Sequence, residues 1–174
     1  AASDVYKRQV FANADSSVTV TVKSYKTILN PGEDSNDVVA DMTGRDENNI
    51  VGQDSPDNYK PTERNLKWTV SDSNVVKFIV SDSAGVKPAD TADGVKSPLI
   101  RAYKAGKATL TATYYTKIYG PDGSITYQQA LGSDSVDVIV PLSVKFKATR
   151  NGVELTDEQK KEYHVGDIIE IPSN

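Results

Sequence analysis

The sequence predicts an all-β fold: a two-sheet antiparallel sandwich of about seven strands over residues 10–141, followed by a partial second β-rich module over 142–174. Three observations carry this expectation. Apolar residues recur with period two in short runs, as they do where one face of a strand is buried. Clusters of Gly, Pro, Asn, Asp and Ser separate the runs and mark turns. Val, Thr and Tyr are plentiful while the chain holds one Met and three Phe, a composition that suits pleated surfaces better than helices. With 174 residues and 37% apolar content, one core of ordinary size can be built, but two would be lean.

Taken in order, Ala1–Gln9 (AASDVYKRQ) fits no strand pattern and resembles a translated sequencing-adapter scar, so it is set aside as a non-native or disordered lead. Ala12 and Ala14 then match the A-x-A pattern cut by signal peptidase, or else form a polar lead-in to the first strand. Val18, Val20 and Val22 give that strand, Asn30-Pro31-Gly32-Glu33 turns the chain, and Val38, Ala40 and Met42 give the second. Leu66, Trp68 and Val70 form the inward face of the third, with Lys67 and Thr69 outward. Val76, Phe78 and Val80 make the fourth, and Ile100 and Ala102 the fifth. Ala108, Leu110, Ala112 and Tyr114 make the sixth, and Val136, Val138 and Val140 the seventh, closed by Pro141. The tetrapeptide Val-Ser-Asp-Ser at 70–73 and 80–83 reads as two Ser/Asp turns at strand ends rather than a repeat. A barrel is the structural alternative.

After Pro141 the pattern restarts. Val144 and Phe146 suggest a strand, Asn151-Gly152 a hairpin turn, and Val153 and Leu155 the return. Thr156-Asp157-Glu158-Gln159 is a capping box for a short helix to about Tyr163, and residues 165–172 begin a further strand. So short a piece buries little surface, which suggests the truncated start of a neighbouring module, or a terminal subdomain of the first.

Trp68-Thr69-Val70-Ser71-Asp72-Ser73-Asn74-Val75-Val76, the stretch from Ile100 through Gly106 and Leu110 to Ala112, and Asp134-Ser135-Val136-Asp137-Val138 together resemble the bacterial immunoglobulin-like repeats (group 2) of surface adhesins and invasin-type proteins. The resemblance covers about half the chain. It implies an immunoglobulin-like sandwich in an exported, cell-surface or secreted bacterial protein, with similar modules as neighbours in the same chain. In such a fold Trp68 fills the space between sheets, with Val70, Phe78, Leu110 and Val138 in the core and Gly106 at a tight turn.

Three connections are longer than that family's pattern: about 43–65, 81–98 and 115–133. Successive connections in an antiparallel sandwich alternate between poles, so these three fall at one end. Long loops on a rigid scaffold are where binding concentrates, which makes this pole the expected recognition surface for a glycan or a host or matrix protein. A stalk or spacer repeat without a ligand of its own is the alternative. In the last connection, Tyr114, Tyr115 and Tyr119 lead to a Gly120-Pro121-Asp122-Gly123 turn, and Ile125 and Tyr127 return. Tyr115, Tyr119, Asp122 and Tyr127 are the candidate ligand-binding residues; cross-strand packing within a hairpin is the competing role.

Residues 33–58 hold eight acidic side chains and one basic, and Asp41, Asp46, Glu47, Asp54 and Asp57 could supply oxygen ligands to Ca²⁺ without EF-hand spacing. No other cofactor is expected. Catalysis has little to stand on: His164 is the single histidine, and neither a Gly-x-Ser-x-Gly elbow nor a histidine metal cluster is present. A net charge of -4 gives no reason to expect a nucleic-acid partner, and no run approaches the length of a spanning helix. The chain has no cysteine, which excludes disulfides. A Lys–Asn crosslink is not expected, because Lys67 and Lys77 alternate with apolar neighbours and point outward.

Overall fold

Each of the seven alternating runs of the first module is a strand in the structure, a computed structural model that describes residues 16–47, 59–119, 121–122, 124–142 and 146–170. The lead at 1–15, with its scar-like stretch and A-x-A pattern, lies outside the described residues. The chain separates into two compact units, Ala1–Pro141 and Leu142–Asn174.

In the first unit the strands are β1 (Ser17–Ser24), β2 (Asp34–Ser35), β3 (Val38–Arg45), β4 (Leu66–Val70), β5 (Val76–Asp82), β6 (Gly85–Ala89), β7 (Thr91–Asp93), β8 (Leu99–Ala102), β9 (Gly106–Tyr119) and β10 (Ile125–Val140). One sheet has the order β10-β9-β4-β7 and the other β2-β8-β5-β6, with β1 and β3 as an additional antiparallel pair. The protein is therefore an all-β sandwich. Period two gives each strand one apolar face, and those faces meet: Trp68, Phe78, Leu66, Ile100, Leu110 and Val138 are fully buried in one core. Trp68 of one sheet and Phe78 of the other have ring centroids 6.5 Å apart. Val70, expected in the core, is only partly buried against it.

Three strands were not legible in the sequence, and two of them revise the connection at 81–98. That stretch is not a long loop. Asp82 Oδ1 accepts the Ala84 N–H at 2.8 Å and turns β5 into β6, while β7 crosses to the opposite sheet and pairs with β4, Trp68 opposite Ala92. β6 is an edge strand containing Gly85 and Pro88, and β7 has only three residues, so neither presents a clean alternation. The crossing that follows closes the core: Trp68 Nε1–H donates to the Val95 carbonyl at 2.8 Å, and the Ala40 N–H to the Lys96 carbonyl at 2.9 Å. The other Ser/Asp turn uses the same chemistry as Asp82, with Asp72 Oδ1 accepting the Asn74 N–H at 2.9 Å.

The N-terminal segment serves both sheets. β1 pairs with β3, then the chain bends at Ser24–Lys26 and Ile28 bridges Ile139 of β10 in parallel, with Leu29 donating to the Ile139 carbonyl at 3.0 Å. Against β10, a Cβ at Gly132 would stand 2.3 Å from the Val18 carbonyl oxygen, so only glycine permits the approach. Gly106 has φ +151° and its missing Cβ would lie 2.9 Å from Val75 Cγ2, which accounts for glycine at the entry to β9.

The second unit is a three-stranded sheet, β12-β11-β13, from β11 (Lys147–Arg150), β12 (Val153–Glu154) and β13 (Ile168–Glu170). Asn151 and Gly152, at φ 52° and 77°, form the expected two-residue hairpin turn. The capping box is present as a reciprocal pair: the Thr156 N–H donates to Gln159 Oε1 at 2.9 Å and the Gln159 N–H to Thr156 Oγ1 at 3.3 Å. It caps a single 3-10 turn at Gln159–Lys161 rather than a helix to Tyr163. Val144 lies outside the described residues and Phe146 precedes β11. Arg150 holds Asp167 through two hydrogen bonds, 2.9 and 3.0 Å, which together with the His164 N–H bring the Asp167 carboxyl down to about 2.

Candidate functional site

β9 and β10 form the longest hairpin of the molecule's described residues. β9 pairs with β4 only as far as Tyr114, opposite Leu66, yet stays paired with β10 to Tyr119, opposite Ile125. Two register shifts interrupt the ladder, between Tyr127 and Ala130 and between Ala130 and Gly132. Each shift moves the pairing by one residue and so exchanges the faces; two restore them. Between them Ala130 lies opposite Tyr115, and beyond them Tyr127 returns to the outward face opposite Lys117.

On that face the side chains of three strands and a 3-10 turn at Glu63–Asn65 come together. The Tyr115 and Tyr127 rings meet edge to face, centroids 5.1 Å apart at 62°. Lys67 and Lys117 place their ammonium groups over the Tyr127 ring at 5.0 and 5.2 Å from its centroid. The Tyr127 hydroxyl donates to Asp93 Oδ1 at 2.8 Å, tying the hairpin to β7. Lys117 also donates to the Arg64 carbonyl, and partial burial lowers its pKa against the opposing pull of Asp93. From below, buried Asn65 donates through Nδ2 to the Tyr115 carbonyl at 2.7 Å, and Thr116 Oγ1 accepts the Gln129 N–H across the bulged stretch at 3.1 Å.

The expected ligand residues are thus distributed unevenly. Tyr115 and Tyr127 are brought together, half-buried, at the hairpin base. Tyr119 pairs with Ile125 near the turn. Asp122 caps that turn: its Oδ1 accepts the Ser124 N–H at 3.0 Å, and hydrogen bonds from the Ser124 side chain and backbone hold its carboxyl below the ordinary value. Tyr114 does not belong with them. It points into the core, fully buried, and its hydroxyl donates to Asp46 Oδ2 at 2.8 Å while accepting the Thr62 N–H at 3.3 Å.

That pairing also decides the acidic set. Asp46 is fully buried beside Tyr114, with its own N–H on the Tyr59 carbonyl at 2.7 Å. Glu47 pairs with Arg45, and Asp41 lies 3.8 Å from Lys96. Asp54 and Asp57 lie outside the described residues. Among the described residues no three acidic or histidine side chains converge as a metal would require. His164 is exposed in the second unit.

A groove of about 530 Å³ opens where β7 and the following crossing face β5 and β6. Ile79, Val95 and Leu99 give it apolar walls, and Ser81, Thr91 and Asp93 polar ones. Sequence reasoning missed Arg64, Asn65 and Asp93 in this region. Lys67 was legible as outward-facing, but nothing local shows that its partner is a tyrosine sixty residues on.

Set beside known proteins, the chain matches no family model and no curated protein.

Proposed function

We propose that this chain is a non-catalytic, immunoglobulin-like module of an exported bacterial surface protein, and that it acts in adhesion through the pole carrying the β9–β10 hairpin. One observation carries the reading: Tyr115–Tyr119 continues past the last β4 pairing while still laddered to β10, about 17 Å of strand at 3.4 Å per residue. The hairpin is pre-organised at its base by Tyr127–Asp93, Asn65–Tyr115 and Lys117–Arg64. An element ordered before contact loses less entropy on binding than a loose loop. The motifs around Trp68, Gly106 and Val138, which resemble bacterial immunoglobulin-like repeats, support the surface assignment.

A second reading is favoured by a specific observation too. Tyr115, Asp122 and Tyr127 all engage their own chain, as a spacer's hairpin would. The test is a screen of the full chain against glycans and matrix proteins, with and without Ca²⁺. Its comparison is a variant in which residues 118–126 are replaced by Asn-Gly, leaving Lys117 opposite Tyr127. Binding lost by the shortened, folded variant supports recognition at this pole; silence from the folded parent supports the spacer.

A further inference from the structure

Most cations of the first unit are already neutralised. Among the described residues, seven of its lysines and arginines lie within ion-pair distance of a carboxylate. Arg64, Lys67 and Lys117 have no such carboxylate, and the three meet at one place, the face carrying Tyr115 and Tyr127. In a chain of net charge -4 this is a local reversal of sign over an aromatic surface. The ammonium of Lys117 is partly desolvated, which strengthens its attraction for an arriving anion. Asp93, the acid nearest the group, accepts the Tyr127 hydroxyl and so holds the ring beside both lysines.

We propose that this face, built from Tyr115, Tyr127, Lys67 and Lys117 with Arg64 at its margin, binds an acidic carbohydrate. The inference rests on the adhesion reading above and narrows it to a ligand class and a place. Tyrosine rings offer flat apolar surface to the C–H faces of sugar rings, and the ammonium groups meet carboxylates or sulfates carried on them. A neutral glycan leaves the cations unanswered, and a bare anion leaves the rings unanswered. The combination selects polysaccharides that carry uronic acid or sulfate.

The experiment uses the full chain and four probes: a chondroitin sulfate oligosaccharide, a hyaluronan oligosaccharide, a neutral cello-oligosaccharide, and single-stranded DNA of matched charge. Affinities are measured by calorimetry at low and at physiological ionic strength for the parent, Lys67→Gln, and the doubles Lys67→Gln/Lys117→Gln and Lys23→Gln/Lys104→Gln, each checked by melting. Lys23 and Lys104 are exposed cations away from the patch. The expected result is binding of the two acidic saccharides and neither control. Lys67→Gln weakens it, the patch double weakens it by about ten-fold or more, and the distant double leaves it within about two-fold. Equal binding of DNA or of the neutral sugar overturns the proposal, as does equal loss from the distant double or no saccharide binding at all. Loss of some other ligand on shortening the hairpin, with the lysine variants unaffected, overturns this inference while leaving the adhesion reading standing.

Discussion

Replacing Tyr114 by Phe tests the most consequential polar contact in the core. The ring stays and fills the same space, so no cavity forms; what goes is one hydroxyl. That hydroxyl donates to the carboxylate of Asp46 at 2.8 Å, and both residues are fully buried. A hydrogen bond to a charged group contributes about 1.5–3 kcal/mol, and a buried acceptor left without its donor keeps its desolvation cost. The Thr62 N–H, at a longer 3.3 Å, loses its acceptor as well. The expected loss is about 2–3 kcal/mol, which for a unit of this size lowers Tm by roughly 6–12 °C. Trp68 is the chain's single tryptophan and lies in the first unit, so its fluorescence follows that unit alone through a urea titration. Asp46→Asn, which keeps an acceptor oxygen, completes a double-mutant cycle. A Tyr114→Phe chain within about 0.5 kcal/mol of the parent, or a cycle with no coupling, refutes the assignment of this pair as a core fastening.

The same contact has a signature at high pH. Burial first, then the Asp46 hydrogen bond and charge, raise the Tyr114 phenol above its ordinary value of 10.0. Above pH 10 the unfolded chain releases this proton while the folded chain retains it, so the contribution is complete below pH 10 and declines as pH rises beyond it. Tyr114→Phe removes that component of alkaline destabilisation.

Three further outcomes are expected. Trp68→Ala, which empties the centre of the core and orphans the Val95 carbonyl, costs about 3–5 kcal/mol, read by far-UV circular dichroism in urea. Gly132→Ala forces a Cβ to within 2.3 Å of the Val18 carbonyl oxygen, and the shift of β1 that relieves it costs about 1–3 kcal/mol, read as a lower urea midpoint by Trp68 fluorescence. In the second unit Asp167 titrates at about 2 against an ordinary 3.8, so its stabilising contribution is complete above 3.8 and fades as pH falls toward 2. Amide exchange at Arg150 and His164 should rise over that window in the parent, and Asp167→Asn should flatten the dependence.

The strands that line the core were legible because burial of one face imposes period two, as at Leu66-Lys67-Trp68-Thr69-Val70. What escaped were elements whose formation does not depend on alternation. β2 is two residues held to β8 by the Asp34–Arg101 ion pair, β6 is an exposed edge, and β7 is three residues recruited by β4. The acidic stretch near Asp46 was read as a candidate cation site because its composition is visible locally. Its burial is not, since the partner that accounts for it, Tyr114, lies 68 residues away. Tyr114 carried a signal nonetheless: it shares the parity of Leu110 and Ala112 and so belongs on their inward face, apart from Tyr115. The bulges at 127–132 leave no mark beyond the lapse of alternation in Gln128-Gln129-Ala130-Leu131-Gly132.

Parity also connects the buried fastening to the exposed patch. Tyr114 and Tyr115 are neighbours on one strand and must face opposite sides of the sheet. Fixing Tyr114 inward on Asp46 therefore fixes Tyr115 and Lys117 outward, and a slip of one residue would bury a lysine and expose the core. On the returning strand the two bulges do the complementary work. A small residue, Ala130, stands opposite Tyr115, and Tyr127 is carried back to the outward face, where its ring reaches Tyr115 at 5.1 Å and its hydroxyl reaches Asp93. An uninterrupted ladder would set Gln129 opposite Lys117 instead, by continuing the register that pairs Ser133 with Thr113. The irregularity of β10 and the buried Asp46–Tyr114 pair are thus two parts of one arrangement. Both put tyrosine rings and unneutralised lysines side by side on a face that the core alone would not require.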